Sequence, residues 1–113
     1  MWHEEDKMME LVEDMGQAHI SSPTKCPVCN ELQAHFLMHK NNEANGKGSA
    51  WIWCDECKSY SHFGYFVPSW WVNPEFIDVE KLDSYVEYPH SIEKQVDEWI
   101  KSLRKNLFSP KRV

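Results

Sequence analysis

The sequence has little glycine, a deficit of positive charge and no long apolar run. With only four Gly in 113 residues, it contains no glycine-rich loop of the kind that cradles phosphate groups. No nucleophile paired with a base is visible either, so we expect a protein that is not an enzyme. No segment reaches the apolar length that spans a bilayer. Residues 1–15 carry six acids against one Lys, unlike a secretory leader. These absences favour the cytoplasm, where thiols stay reduced.

What the chain does contain is typical of one compact unit. Its length is that of a single domain, and 42% hydrophobic residues, with six Trp, five Phe and four Tyr, are enough to build an aromatic core. The formal net charge is -6. A chain this acidic is repelled by phosphate backbones and prefers basic partners.

All four cysteines lie in two C-x-x-C pairs, Cys26/Cys29 and Cys54/Cys57, separated by twenty-four residues. Two such pairs a hairpin apart place four thiolates at the corners of a tetrahedron, which is how closed structural zinc sites are built. We therefore predict one structural Zn²⁺ per chain. Iron held by four thiolates, a redox pair and disulfides are the alternatives; the redox motif uses one C-x-x-C, and disulfides need an oxidising compartment.

Strand patterns surround both cysteine pairs. Residues 32–39 alternate like a half-buried strand, Asn45-Gly46 is a strong hairpin signal, and residues 50–54 and 59–67 are rich in aromatic or β-branched side chains. The order of pair, strand, turn, strand, pair and strand resembles the zinc-ribbon family over residues 26–68. That resemblance implies a three-stranded antiparallel sheet.

Three histidines are candidates for further chemistry. His62 could complete a Cys₃His site, but four cysteines already suffice, and we expect a strand residue bonded to a neighbour. His35 and His39 share one strand face. Because no acid is locally placed to orient them, we expect them to be exposed strand histidines.

Helical patterns flank the strands. Apolar residues recur at helical intervals before Gly16, again after Asn73-Pro74, and most clearly after Ser91, with Ser109-Pro110 as the stop. We predict an α+β fold, a ribbon braced by helices from both ends, in a single domain 1–113. It divides into an N-terminal helix and linker (1–20), the ribbon (21–68) and a helical part (69–113). The stripe of the last helix is Ile92, Val96, Trp99, Leu103 and Leu107.

Two features outside the cysteine pairs indicate a binding surface. Adjacent Trp70 and Trp71 cannot both face one side of a regular element; they either seal the ribbon to the helices or leave one ring as an interface anchor. Acids are dense at residues 1–15 and 71–98, whereas residues 101–113 carry five basic residues and no acid. The residues expected to contact a partner are Trp70, Trp71, Asp78, Glu80, Asp83 and Glu87.

Residues 50–73, preceded by CPVCN, resemble small zinc-ribbon proteins of bacteria, some of which are immunity proteins that neutralise a toxin by direct binding. The resemblance implies a basic protein partner, such as a toxin domain, for this acidic chain. The alternative is a zinc ribbon that binds nucleic acid or assists transcription. That use needs a stripe of Lys or Arg, and the lysines here are scattered among acids.

Overall fold

The protein has the predicted α+β class. The computed structural model describes residues 1–17 and 20–108, the last three by their backbone alone. The predicted stop at Ser109-Pro110 and the basic residues Lys111 and Arg112 lie outside the described residues. The elements in chain order are β1 (His3–Glu4), a 3₁₀ helix (Asp6–Leu11), α1 (Val12–Met15), β2 (Ala34–Lys40), β3 (Lys47–Cys54), β4 (Ser59–Phe66), a 3₁₀ turn (Val79–Lys81), α2 (Glu87–Ser91) and α3 (Glu93–Phe108).

The sheet has the strand order β1-β4-β3-β2. The three predicted strands pair antiparallel, and Gly46 in the predicted turn has a φ of 77°, which favours glycine. The prediction of three antiparallel strands is nevertheless wrong, because β1 adds a fourth strand, parallel to β4. The His3 amide donates to the Lys58 carbonyl oxygen at 3.0 Å. A two-residue strand is too short to produce an alternating pattern in the sequence.

The two faces of the sheet are covered by opposite ends of the chain. Phe36, Ile52 and Ser61 are paired across the strands and face the N-terminal 3₁₀ helix, where Ser61 contacts Met9. On the other face His35, paired with Trp53, contacts α3. Because both faces are covered, every residue from 34 to 38 is buried, and the expected half-buried alternation of β2 is wrong.

The chain between β4 and α2 is not the helix predicted from Asn73-Pro74. Hydrogen bonds to distant parts of the chain hold it in an irregular path, with one 3₁₀ turn. Asn73 accepts a hydrogen bond from the Lys40 amide and donates one to the Lys40 carbonyl, both at 2.9 Å. The indole N–H of Trp51 donates to the Asp83 carbonyl at 2.8 Å, and that of Trp99 to the Val72 carbonyl at 2.7 Å. These bonds override the local helical pattern.

The other two predicted helices are present with altered ends. The N-terminal one is a 3₁₀ helix that continues into α1 and buries Met8, Leu11 and Met15. In α3 Val96 and Leu103 are buried as predicted, together with Ile100. Ser91 does not cap α3; it ends α2, and its hydroxyl donates to the Tyr88 carbonyl. The Leu107 side chain lies outside the described residues. No helix in the described part of the chain has the length and hydropathy needed to cross a membrane.

Candidate metal centre

Cys26, Cys29, Cys54 and Cys57, the cysteine cluster, come together at one end of the sheet. Their sulfur atoms all lie within 4.8 Å of one another. Cys26 Sγ is 3.8 Å from Cys57 Sγ, and Cys29 Sγ is 3.7 Å from Cys54 Sγ. These separations far exceed a disulfide bond of about 2.05 Å. Four sulfurs bound at about 2.3 Å to a central zinc ion lie about 3.8 Å apart. The four cysteines are therefore positioned to bind a metal ion.

The two C-x-x-C turns, or knuckles, have the same backbone geometry. In each, the residue after the second cysteine has a positive φ, 68° at Asn30 and 60° at Lys58. The Asn30 amide donates to the Cys26 carbonyl at 2.8 Å, and the Lys58 amide donates to the Cys54 carbonyl at 3.0 Å. Side chains of L residues rarely tolerate this conformation, and Asn tolerates it better than Lys. The second knuckle therefore holds a strained residue at its end.

Burial and local dipoles act against one another on the thiols. Burial raises the pKa of Cys26 and of Cys54, although backbone N–H groups of the knuckles donate toward both sulfurs and oppose the rise. At Cys57 burial also acts to raise the pKa, but hydrogen bonds with the side chain and backbone of Ser59, together with those of Cys26 and Cys54, outweigh it and the pKa is lowered. A metal ion must displace the remaining thiol protons, so its binding at this cluster is pH-dependent.

A small set of outer residues supports the cluster. Ser59, which is fully buried, places its hydroxyl 3.2 Å from Cys57 Sγ and 3.1 Å from His3 Nε2. Met8, from the N-terminal 3₁₀ helix, lies with its Sδ 3.8 Å from Cys26 Sγ. Outer partners of this kind orient metal ligands. They also explain why a short N-terminal strand belongs to the sheet, since β1 carries His3 to the second knuckle.

The histidines lie in three different settings. His62 packs on the Trp51 ring, with centroids 4.9 Å apart, and does not belong to the cysteine cluster. His39 is half-buried. His35 is only 4% exposed, so the expectation of an exposed strand histidine is wrong for it. The acid that orients it is Asp97 of α3, 62 residues along the chain, which is why no local pattern revealed it.

The residues expected to contact a partner divide into two groups. Trp71 is fully buried, and its indole donates to Asn73, so it seals the core and is not accessible as an anchor. Trp70 is partly buried against it. The acidic residues are all exposed, on the irregular chain between β4 and α2 and at the start of α2: Asp78, Glu80, Asp83 and Glu87.

No protein-family model, curated protein or solved structure matches this chain.

Proposed function

We propose that this chain is a non-enzymatic, protein-binding module of the zinc-ribbon type, in which the cysteine cluster holds one structural Zn²⁺. The observation that supports this most directly is the set of sulfur separations of 3.7 and 3.8 Å at the end of the sheet. With four cysteines as ligands, zinc has no open position for water or substrate. The ion would then act on folding, and zinc in such sites contributes on the order of 10 kcal/mol.

The binding surface that we propose is the acidic segment, residues 75–87. It exposes Glu75, Asp78, Glu80, Asp83 and Glu87 around exposed Phe76 and Val79, with Lys81 as its basic residue. Apolar side chains within a rim of one charge are a usual composition of a docking site for an oppositely charged protein.

The N-terminal acids extend the same surface. Burial lowers the pKa of His62, and the negative charges of Asp83 and Glu4 both oppose that lowering. Because both carboxylates act on one imidazole of β4, Glu4 of β1 lies on the same side of the sheet edge as Asp83 of the acidic segment. A concentrated negative field speeds the association of a basic partner.

The partner class that we propose is a basic protein, in particular a toxin domain that this chain neutralises as an immunity protein. A toxin that acts on nucleic acid has a basic cleft for phosphates, and an acidic segment can occupy such a cleft as a mimic. The charge of -6 supports a basic protein as the target and does not favour direct binding of nucleic acid.

The test is a comparison of two charge variants of the zinc-loaded chain. Asp78→Asn with Glu80→Lys and Asp83→Asn changes the acidic segment; the two Asn residues keep acceptors for the backbone amides that the aspartates now bind. The control, Glu31→Lys with Glu43→Lys, changes the total charge equally at exposed positions outside the segment. A tagged chain first captures its partner from native-host extract, and stopped-flow mixing then gives association rates at several salt concentrations.

We expect the segment variant to associate about 10-fold more slowly than the wild type at low salt and to lose much of the salt dependence. In the control variant the association rate should fall only by the amount that the change in net charge explains. Equal losses in both variants would overturn the acidic segment as the docking site. Capture of RNA polymerase or of nucleic acid that survives moderate salt would overturn the proposed partner class.

A further inference from the structure

The buried imidazole of His35 has one nitrogen at hydrogen-bond distance from a carboxylate and a second nitrogen that faces carboxylates at longer distances. Nδ1 lies 3.0 Å from a carboxylate oxygen of Asp97. Nε2 is buried and has no hydrogen-bond partner among the residues that the structure describes, and the side chain is only 5% exposed. It points toward two carboxylates, Glu93 Oε1 at 3.5 Å and Asp55 Oδ2 at 3.7 Å. Both distances are too long for a good N–H···O hydrogen bond.

Those distances are typical of atoms that share a metal ion. Imidazole nitrogens and carboxylate oxygens bind zinc and similar ions at about 2.1 Å, so the ligand atoms of a tetrahedral site lie about 3.4 Å apart. His35, Asp55 and Glu93 offer one ligand atom each, all within 4.8 Å of one another. We infer that these three residues form a second metal site, separate from the cysteine cluster, for a divalent first-row transition-metal ion.

The surroundings of the three ligands are those of a built site. Asp97 holds Nδ1 of His35 and leaves Nε2 free, the carboxylate–histidine–metal arrangement that orients ligating imidazoles. Asp97 is itself held by the Ser22 hydroxyl, which donates to it at 2.7 Å. The Trp53 indole N–H donates to Glu93 Oε1 at 2.8 Å and fixes that carboxylate.

The rim of the site adds a second imidazole, which is partly open to solvent. His90 Nε2 lies 2.6 Å from Asp55 Oδ1 and 4.0 Å from Glu93 Oε1, and its side chain is 34% exposed. Lys58 Nζ, 3.8 Å from Asp55 Oδ1, is a positive charge that weakens the attraction for a cation. Unlike the closed cysteine cluster, this site can bind an ion from solution and retain a water ligand.

Three carboxylates crowd a single buried imidazole here. Asp97 lies 3.0 Å from Nδ1, and Glu93 and Asp55 lie 3.5 and 3.7 Å from Nε2, so three negative groups surround one imidazole. A divalent cation relieves this crowding by neutralising two negative charges. A protonated His35 would relieve one, and the experiment below distinguishes the two arrangements.

The test uses Co²⁺ as the probe, added to the full chain after the cysteine cluster has been loaded with zinc. Equilibrium dialysis gives the bound cobalt, and the visible spectrum reports its ligands. The wild type should take up one further ion per chain, with the visible d–d bands of cobalt bound by nitrogen and oxygen and no sulfur-to-cobalt charge-transfer band. Glu93→Gln and Asp55→Asn, which keep hydrogen-bonding oxygens, should each weaken binding at least about 10-fold. Glu98→Gln, at a 74% exposed position of the same helix, is the matched control and should bind like the wild type.

Zinc retained at the cysteine cluster and an unchanged circular dichroism spectrum establish that each variant is folded. If only one of Glu93→Gln and Asp55→Asn folds, that variant alone completes the test. The proposal is overturned when the wild type takes up no further ion, or when both variants bind cobalt as tightly as the wild type. The second outcome would place the ion on exposed histidines. It is also overturned when ¹⁵N NMR with excess Zn²⁺ shows a proton on Nε2 of His35.

Discussion

The second knuckle belongs to two clusters that are built in opposite ways. Cys54 and Cys57 point into the cysteine cluster, while Asp55 between them points toward the carboxylate–histidine cluster, which we define as His35, Asp55, His90, Glu93 and Asp97. The cysteine cluster joins two knuckles of one hairpin. The carboxylate–histidine cluster joins the sheet to α2 and α3. Adjacent residues of one short turn therefore belong to two clusters. The cysteine cluster lies within the hairpin and its knuckles, and the carboxylate–histidine cluster lies between the sheet and the C-terminal helices.

The two clusters differ in how far apart along the chain their members lie. The cysteine cluster takes all of its ligands from short local turns, so a metal ion there stabilises the ribbon itself. The carboxylate–histidine cluster draws on segments up to 62 residues apart, so it forms only after α3 has docked on the sheet. Losing the first cluster should therefore unfold the protein, and losing the second should loosen one layer.

The largest effect is expected for Cys54→Ser, which removes a fully buried ligand. Zinc binding at four-thiolate sites is worth on the order of 10 kcal/mol, comparable to the whole stability of a domain. The variant should therefore purify without zinc and lack the cooperative thermal transition of the wild type. Circular dichroism and metal analysis check this outcome, and chelation of the wild type should reproduce it. A folded, cooperative, metal-free variant would contradict the structural role.

The sequence reveals the cluster that is built from local turns and does not reveal the one that is built from distant segments. The spacing of Cys26, Cys29, Cys54 and Cys57 indicates the cysteine cluster because the ligands are signalled by short repeats. The hairpin was predictable too, through Asn45-Gly46. His35 and Asp97 carry no such signal, because their contact depends on how α3 packs on β2.

The chain after β4 was the least predictable part for a related reason. Its apolar residues recur at helical intervals, yet Asn73 bonds the Lys40 backbone, and the indoles of Trp51 and Trp99 bind carbonyl groups of the segment. Those donors come from distant strands and helices. Long-range bonds therefore decided the path where local propensity pointed elsewhere.

The next largest effect is expected for His35→Ala. It leaves the carboxylates of Glu93 and Asp97, which are only 15% and 16% exposed, without their central partner. Removing one side of a buried ion pair costs about 3 kcal/mol. Urea unfolding of the zinc-loaded chain measures the loss, and hydrogen exchange should locate it in α3. The control is His39→Ala, on the same strand face but half-buried, which should cost less than about 1 kcal/mol. If both substitutions lowered the free energy of unfolding equally, His35 would contribute no more to stability than the half-buried His39.

A smaller effect should appear as a pH dependence of the same cluster when no metal ion has been added to it. Burial acts to lower the pKa of His35, but the hydrogen bond and charge of Asp97, with Glu93 and Asp55, outweigh it and raise the pKa. The folded state therefore binds this proton more tightly than the unfolded state. The resulting stabilisation is complete below the unfolded pKa of about 6.5 and is lost as pH rises through the folded value.

His35→Gln provides the comparison for that pH dependence. In metal-free buffer, with zinc retained at the cysteine cluster, the difference in unfolding free energy between wild type and variant should shrink as pH rises. Saturating Co²⁺ should reverse the trend, because an ion needs the neutral imidazole. A difference that does not change with pH in either condition would show that His35 does not change protonation on folding.

The smallest effect is expected for Ser59→Ala, which removes an outer partner of the cysteine cluster while leaving all four ligands. After burial, which raises the pKa of Cys57, the hydrogen bond with the Ser59 hydroxyl is the first of the effects that lower it. Because the variant loses that bond, its Cys57 thiol should lose its proton at a higher pH. Zinc should still bind at one ion per chain, with a cost of about 1 kcal/mol in stability, and half-loading should shift to higher pH. Ser61→Ala, a buried serine on the same strand face, should leave the loading curve unchanged. Because four thiolates fill the coordination sphere, an outer bond can only tune the cluster. If Ser59→Ala instead abolished zinc binding, the cysteine cluster would depend on long-range support as the carboxylate–histidine cluster does, and the contrast between local and distant construction would fail.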